Sequence, residues 1–339
     1  MLKCLCLIMN NSAKNLTFLC VGSATQDVFL SHSPELAPVC ENPEDCFFEI
    51  PLGAKVNVNH IDFSTGGGAT NAATTFARAG EQAIFMGQIA RDPAGATIAK
   101  SLDDEGIDTA GLAISYTHKT AYSVLLLAPG GERTILTYRG ASTHFLTSNF
   151  DLERIEKAFD WLYVTTLNGH FEILDKLFHD AKKRGARIAF NPGKGELADS
   201  KKLLALLSDV DILLANREEL SKCFTGESLE ELVRRAHNYC PVVVGTDGVA
   251  GAAAIDKTSF ATAGLYNPES HVIDRTGAGD SFGSAFVLAY ARGLGLKKAL
   301  IYGGANSDAV VQKIGAKTGI LTSYDNLHDM KVEIRPANY

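Results

Sequence analysis

The sequence predicts an α/β protein: a three-layer, doubly wound, mostly parallel sheet with a small β-sheet lid. Three observations carry this reading. Short apolar runs without polar alternation recur along the chain, as central strands of a sheet covered on both faces require. Helical stretches with 3.6-residue spacing lie between them, the order found in doubly wound folds. Two strand-rich stretches interrupt that order and supply the lid.

The first apolar run, Asn15–Gly22, ends in a glycine turn, and comparable runs begin at Ala83, Trp161, Arg187, Asp211 and Pro241. Trp161 falls in a predicted core strand and receives no other role. From Phe171 to Arg184, the residues Ile173, Leu174, Leu177 and Phe178 form one stripe of an amphipathic helix. Residues 31–61 are rich in Pro, Glu and Asn, then alternate like strands from Phe47 and from Lys55. Residues 119–139 set two apolar strands around Pro129-Gly130-Gly131, a β-hairpin pattern. A small sheet of this kind beside an α/β core is a candidate lid over the strand ends, where ligands bind. The expected organisation is a core of 15–30, 62–118 and 140–330, a lid of 31–61 and 119–139, a frayed leader at 1–14 and a C-terminal tail at 331–339.

Composition narrows the function. A net charge of −7 offers no basic field to displace phosphate counterions, which excludes a general nucleic-acid binder. No apolar run reaches membrane-spanning length, so no membrane partner is expected. The run over residues 1–9 is brief and lacks a clean small-residue cleavage site, so it reads as a frayed leader or a misplaced start and not as a signal peptide. The seven cysteines (Cys4, Cys6, Cys20, Cys40, Cys46, Cys223, Cys240) include no Cys-x-x-Cys pair, and idle thiols in a reducing cytoplasm are expected. The histidines show no ligand spacing, so no protein-bound transition metal is expected.

Two glycine clusters carry candidate chemistry. In Thr65–Asn71, three adjacent glycines let backbone approach a ligand, and Asn71 both donates and accepts hydrogen bonds, which suits a polyol. A plain structural turn fits the same residues. The dinucleotide fingerprint that Gly66-x-Gly68 opens fails at Asn71, where its third glycine belongs. The second cluster is Asp274-Arg-Thr-Gly-Ala-Gly-Asp280. Gly277, Ala278 and Gly279 precede a helix whose N-terminal amides suit charge developing on a phosphoryl group. Asp280, in the first turn, reads equally as a base for a nearby hydroxyl or as a cap on a buried helix. No Gly-x-x-x-x-Gly-Lys-Ser/Thr occurs, which excludes a P-loop, and the protein-kinase His-Arg-Asp set is absent.

In this order, the Gly66–Asn71 loop and the Asp274–Asp280 motif resemble the PfkB, or ribokinase-like, family of carbohydrate and nucleoside kinases, from about residue 16 to 322. The resemblance implies an ATP-dependent phosphotransferase with an alcohol as acceptor. Asp280 matches the family's catalytic base, and Gly277, Ala278 and Gly279 match its anion hole. Asp27, Gly66, Gly67 and Asn71 match substrate-binding positions. Asn216 and Glu219 match the Asn-x-x-Glu element that organises Mg2+ through water. Thr246, Gly248 and Gly251 match the loop beside the nucleotide, Asn306 lies on the helix that flanks adenine, and Asn191 matches a polar position near the phosphates. Asp274, Thr276 and Gly315 lie where K+-binding members draw their carbonyls, with a plain loop as the alternative. In many members the lid also pairs two subunits, so a homodimer through the lid is expected.

The resemblance implies a sugar as acceptor, with a nucleoside or a keto-sugar acid as alternatives. Gly68 departs from the simplest ribose pattern, which carries Lys or Asn there, and admits a differently shaped substrate. Arg139, after the lid hairpin, is placed to pair with a carboxylate or phosphate of the acceptor, or else is a solvated arginine. A non-catalytic sensor is the remote alternative; it would be expected to lose Asp280 or its glycines, which this chain keeps.

Overall fold

The computed structural model describes residues 15–31, 33, 37–42, 45–128 and 132–337, so the expected leader at 1–14 and the Pro129-Gly130-Gly131 turn lie outside the described residues. In chain order the strands are β1 (Thr17–Val21), β2 (Thr25–Ser31), β3 (Val39–Asn42), β4 (Asp45–Phe47), β5 (His60–Gly66), β6 (Gln82–Ala90), β7 (Asp108–Ser115) and β8 (Ala121–Leu127). They continue as β9 (Arg133–Tyr138), β10 (Trp161–Val164), β11 (Arg187–Phe190), β12 (Ile212–Asn216), β13 (Val242–Thr246), β14 (Ala252–Ile255), β15 (Ser259–Ala263) and β16 (Val332–Pro336). Ten of them form one sheet in the order β16-β15-β14-β13-β12-β11-β10-β1-β6-β7, parallel from β13 through β7.

All five residues of β1 are buried, as its unbroken apolar run requires. Successive side chains point to opposite faces. Leu19 and Val21 join Leu162, Val164 and Phe178 in one core, against the Phe171–Lys183 helix. Phe18 and Cys20 join Phe76, Phe85 and Tyr163 in the other, against the Gly68–Arg78 and Ala278–Ala291 helices. The result is three layers, as expected. Trp161 is core, with the Arg187 guanidinium 4.4 Å from its ring centroid.

The lid is a four-stranded sheet, β5-β2-β8-β9, and its boundaries differ from the expected ones. It begins at Thr25, because β2 follows β1 after only Gly22, Ser23 and Ala24 and pairs with β8 in parallel. β5 runs into Gly66, so the lid also extends past residue 61. β3 and β4 form a separate two-stranded sheet. Its antiparallel register sets Cys40 opposite Cys46, with Cα atoms 4.1 Å apart, and the two form a disulfide. Free thiols are therefore the wrong expectation for this pair, while Cys20 and Cys240 are buried and free as expected.

The expected tail is another correction. Residues 332–336 close the main sheet as β16, paired antiparallel with β15 from Ser259↔Pro336 to Ala263↔Val332. Arg335 anchors the strand, with its guanidinium over Phe260 and an ion pair to Glu230. No helix among the described residues is long and apolar enough to cross a membrane.

Candidate active site

The loop before the Ala278–Ala291 helix is built around a buried carboxylate. Asp274 Oδ1 accepts from the Thr276 amide and hydroxyl at 2.9 and 2.7 Å, and Oδ2 accepts from the Gly315 amide at 3.0 Å. This clamp holds Gly277 in the left-handed region (φ 79°), where a Cβ would strike Ala316. The Ala278 amide donates to the Arg275 carbonyl at 3.3 Å, and the helix then opens with the amides of Gly279 and Asp280 unpaired, a ready anion site.

Asp280 stands in that first turn, and Asn71 Nδ2 donates to its Oδ2 at 2.8 Å. Burial pushes the Asp280 carboxyl up from its ordinary value, and the Asn71 bond pulls it part of the way back. The helix has no side-chain cap bond, from Asp280 or any other described residue. Asp280 lies, with Gly277, on the wall shared by two cavities of about 220 and 270 Å³.

The smaller cavity gathers every substrate position expected from the sequence: Asp27, Gly66, Gly67, Asn71 and Arg139. Asp27 is 4% exposed on β2, opposite Ser123. Burial pushes its carboxyl up to about 7; the Ser123 hydroxyl and the Lys317 charge oppose this, while Asp274 and Asp280 add to it. The glycine run makes this packing possible. A side chain at Gly66 would collide with the Asp27 carboxylate, and Gly67 (φ 99°) rests on the Ser23 carbonyl. Gly68 leaves room for Asp280 itself. Lys317 went unnoticed in the sequence because a lysine in a polar loop reads as solvated. Here burial pulls its ammonium down to about 7, against the attraction of Asp27.

The larger cavity gathers Asn191, Asn216, Glu219, Thr246 and the Gly277–Asp280 turn. Asn216 and Glu219 hold each other through a reciprocal cap: Asn216 Oδ1 accepts from the Glu219 amide, and Glu219 Oε2 from the Asn216 amide, both at 2.9 Å. Burial raises the Glu219 pKa, so a cation beside it is welcome. Arg133 from the lid and Arg275 also line this cavity; neither stood out in the sequence, although Arg275 lies inside the Asp274–Asp280 motif.

The larger cavity does not gather three of the expected positions. Asn306 is fully buried, and its amide is consumed inside the protein by the Ser281 carbonyl at 2.9 Å and the Leu321 amide at 3.0 Å. It ties two helices together instead of facing a nucleotide. Gly248 and Gly251 shape the turn after Thr246 and stand outside the cavity lining.

The two expected metals draw on different groups. Among the described residues, no group of three or more His, Cys, Asp or Glu side chains can hold a metal alone. Mg2+ does not need one, since it keeps water and takes phosphate oxygens, and Glu219 at the cavity wall fits that role. For K+, the expected ligands are the backbone carbonyls of Asp274, Thr276 and Gly315. The same three residues form a loop clamp through other groups, the Asp274 carboxylate, the Thr276 amide and hydroxyl and the Gly315 amide, which leaves the carbonyls out of these bonds.

The profile of the pfkB family carbohydrate kinases matches residues 40–323. This chain belongs to that family. The PfkB resemblance of the two glycine motifs is thereby borne out. A relative, the 5-dehydro-2-deoxygluconokinase of Halalkalibacterium halodurans, is 28% identical over 265 residues, covering 73% of this chain and 80% of its own. The ribokinase of Arabidopsis thaliana, solved with ribose and ATP, shares the PfkB fold seen here at a TM-score of 0.71 and 22% identity, over 90% of this chain and 95% of its own. The adenosine kinase of Sinorhizobium meliloti shares it at 0.73 and 19%, over 92% and 98%.

Proposed function

We propose that this PfkB-family kinase transfers the terminal phosphoryl group of ATP to a sugar hydroxyl held in the smaller cavity, with the nucleotide in the larger one. The observation that carries the reading is the shared wall: Asp280 and Gly277 border both cavities. An acceptor oxygen on one side and a phosphoryl group on the other meet there, in line with the helix amides. The acceptor oxygen forms a bond to phosphorus as the bond to the leaving diphosphate breaks, and Asp280 takes the hydroxyl proton. The amides of the Gly277–Gly279 turn hold the charge on the transferring group. Magnesium, held through Glu219, neutralises phosphate charge when bound.

Polar atoms without partners support a polyol as the acceptor. Thr25 Oγ1 and Asn71 Oδ1 are buried with no hydrogen-bond partner among the described residues, and both residues line the acceptor cavity. Buried polar groups are ordinarily paired, so these two await hydroxyls. No aromatic side chain lines that cavity among the described residues, which leaves a nucleobase without a stacking surface. The test is acceptor-dependent ADP release from ATP and Mg2+ across D-ribose, D-fructose, 5-dehydro-2-deoxygluconate, adenosine and inosine. Turnover with a sugar and none with the nucleosides is expected; the reverse selects the nucleoside reading, and silence with every acceptor removes the kinase reading.

Arg139 favours an acidic sugar, since it lines the acceptor cavity and a guanidinium can grip a carboxylate by two parallel bonds. Arg139→Gln is expected to raise the KM for 5-dehydro-2-deoxygluconate on the order of tenfold or more, the worth of a charged hydrogen bond. The KM for a neutral sugar should stay unchanged. An equal effect on both acceptors would remove this role.

We also propose pairing of two chains through the lid. β5 and β9 are its edge strands, and they expose Ile61, Phe63, Leu136 and Tyr138. Apolar side chains on open strand edges call for cover. Light scattering is expected to give twice the chain mass, and Phe63→Lys to halve it; a monomeric parent would refute the pairing.

A further inference from the structure

Among the buried charged groups that the mechanism above leaves without work is the ammonium of Lys317. Lys317 is 6% exposed, in the loop that follows the Gly295–Val311 helix. Arg78 pins this loop, donating to the carbonyls of Lys317 and Ile320 at 2.8 and 3.1 Å. The rest of the Arg78 guanidinium is taken by Glu105 at 2.6 to 3.2 Å. With its backbone fixed, Lys317 reaches inward, and Nζ donates to Thr65 Oγ1 at 2.9 Å. Thr65 Oγ1 also meets Ser101 Oγ at 3.0 Å.

Thr65 directly precedes Gly66, the glycine against which the Asp27 carboxylate lies. The groups acting on Asp27 are Ser123, Lys317, Asp274 and Asp280; those acting on Lys317 are Asp27, Glu105 and Arg78. Glu105 and Arg78 satisfy each other. The Lys317 charge favours the Asp27 carboxylate, against the Asp274 and Asp280 carboxylates. A carboxylate buried among carboxylates stays charged and fixed only with such a partner.

We propose that Lys317 is a positioning residue for the acceptor, whose ammonium anchors the Asp27 carboxylate through the Thr65–Gly67 turn in the geometry that grips the acceptor's hydroxyls. The proposal rests on the kinase reading and gives one residue outside the cavity lining a defined part in it. A second consequence follows from the same loop: Gly315 clamps Asp274 while Lys317 anchors Asp27, so the 315–320 segment ties the phosphoryl side of the site to the acceptor side.

The experiment is steady-state ADP release with ATP, Mg2+ and each of D-ribose, D-fructose and 5-dehydro-2-deoxygluconate, for the parent, Lys317→Met, Lys317→Arg, Asp27→Asn and the double variant Asp27→Asn/Lys317→Met. Lys317→Met is expected to raise the acceptor KM on the order of tenfold or more, with the KM for ATP unchanged. Lys317→Arg should restore part of the loss. In the Asp27→Asn background the methionine should add little, because the two residues act as one unit. An unchanged acceptor KM in Lys317→Met overturns the proposal, as do fully additive effects or an equal rise in both KM values. If Lys317→Met does not fold, Thr65→Val takes its place: it removes the acceptor of the ammonium's hydrogen bond, and an acceptor KM equal to the parent's overturns the proposal. A parent silent with every acceptor strikes the kinase reading itself, and this proposal with it, before any variant is compared.

Discussion

Asp280→Asn is expected to abolish phosphoryl transfer and to yield a protein that melts no lower than its parent. General-base assistance contributes about 10²–10⁴-fold, and here the base also sits where acceptor and donor cavities meet, so the loss should reach at least that range. The stability half follows from burial. Burial raises the folded-state pKa of Asp280 above its unfolded value. The charged form is therefore disfavoured by folding: the penalty is absent below the unfolded pKa, grows as pH rises toward the folded pKa, and is full above it. An uncharged carboxamide removes the penalty and can still accept the Asn71 bond. For the parent, the same shift moves the acid limb of kcat/KM above the ordinary carboxylate range, with activity falling as pH drops through it. ADP release and thermal melts from about pH 5 to 8 check both halves; an unchanged rate in the variant, or a lower melting temperature at neutral pH, would remove the assignment.

Asp27→Asn is expected to separate acceptor binding from nucleotide binding. Asp27 lines the acceptor cavity and is absent from the wall of the donor cavity. Replacing its carboxylate weakens the grip on hydroxyls by the worth of charged hydrogen bonds, on the order of tenfold or more in acceptor KM. The KM for ATP should not move. Steady-state kinetics with each substrate varied in turn make the measurement, and a matching rise in both constants would mean that Asp27 holds the fold and not the acceptor.

Much of this architecture is legible in the sequence because its elements announce themselves locally. The runs at β1, β10, β11, β12 and β13 are apolar throughout, and burial on two faces is the simple solution for them. The Asp274–Asp280 turn is legible because Gly277 is required by its backbone and Asp274 by its clamp. What was hidden depends on partners distant in the chain. Val332–Pro336 alternates weakly and becomes a strand only because β15, about seventy residues earlier, offers it an open edge. Cys40 and Cys46 meet through an antiparallel register that spacing alone does not reveal. Asn306 looks like a ligand-facing amide, yet its bonds to Ser281 and Leu321 are set by helix packing. Lys317 looks solvated until Arg78, 239 positions away, takes hold of its carbonyl.

The direct passage from β1 to β2 has a consequence for what the protein does with water. Asp27, the proposed grip on the acceptor, rides on the lid sheet, while Asp280 belongs to the core helix. Only three residues, Gly22 to Ala24, separate the central strand from the lid strand that carries Asp27. On the proposed reading, a water molecule brings one oxygen to Asp280 and no second hydroxyl for Asp27, Thr25 or Asn71 to hold. A polyol would meet the core helix and the lid strand at once. Discrimination between an alcohol and water would then follow from the division of the site between core and lid, because the alcohol alone satisfies both.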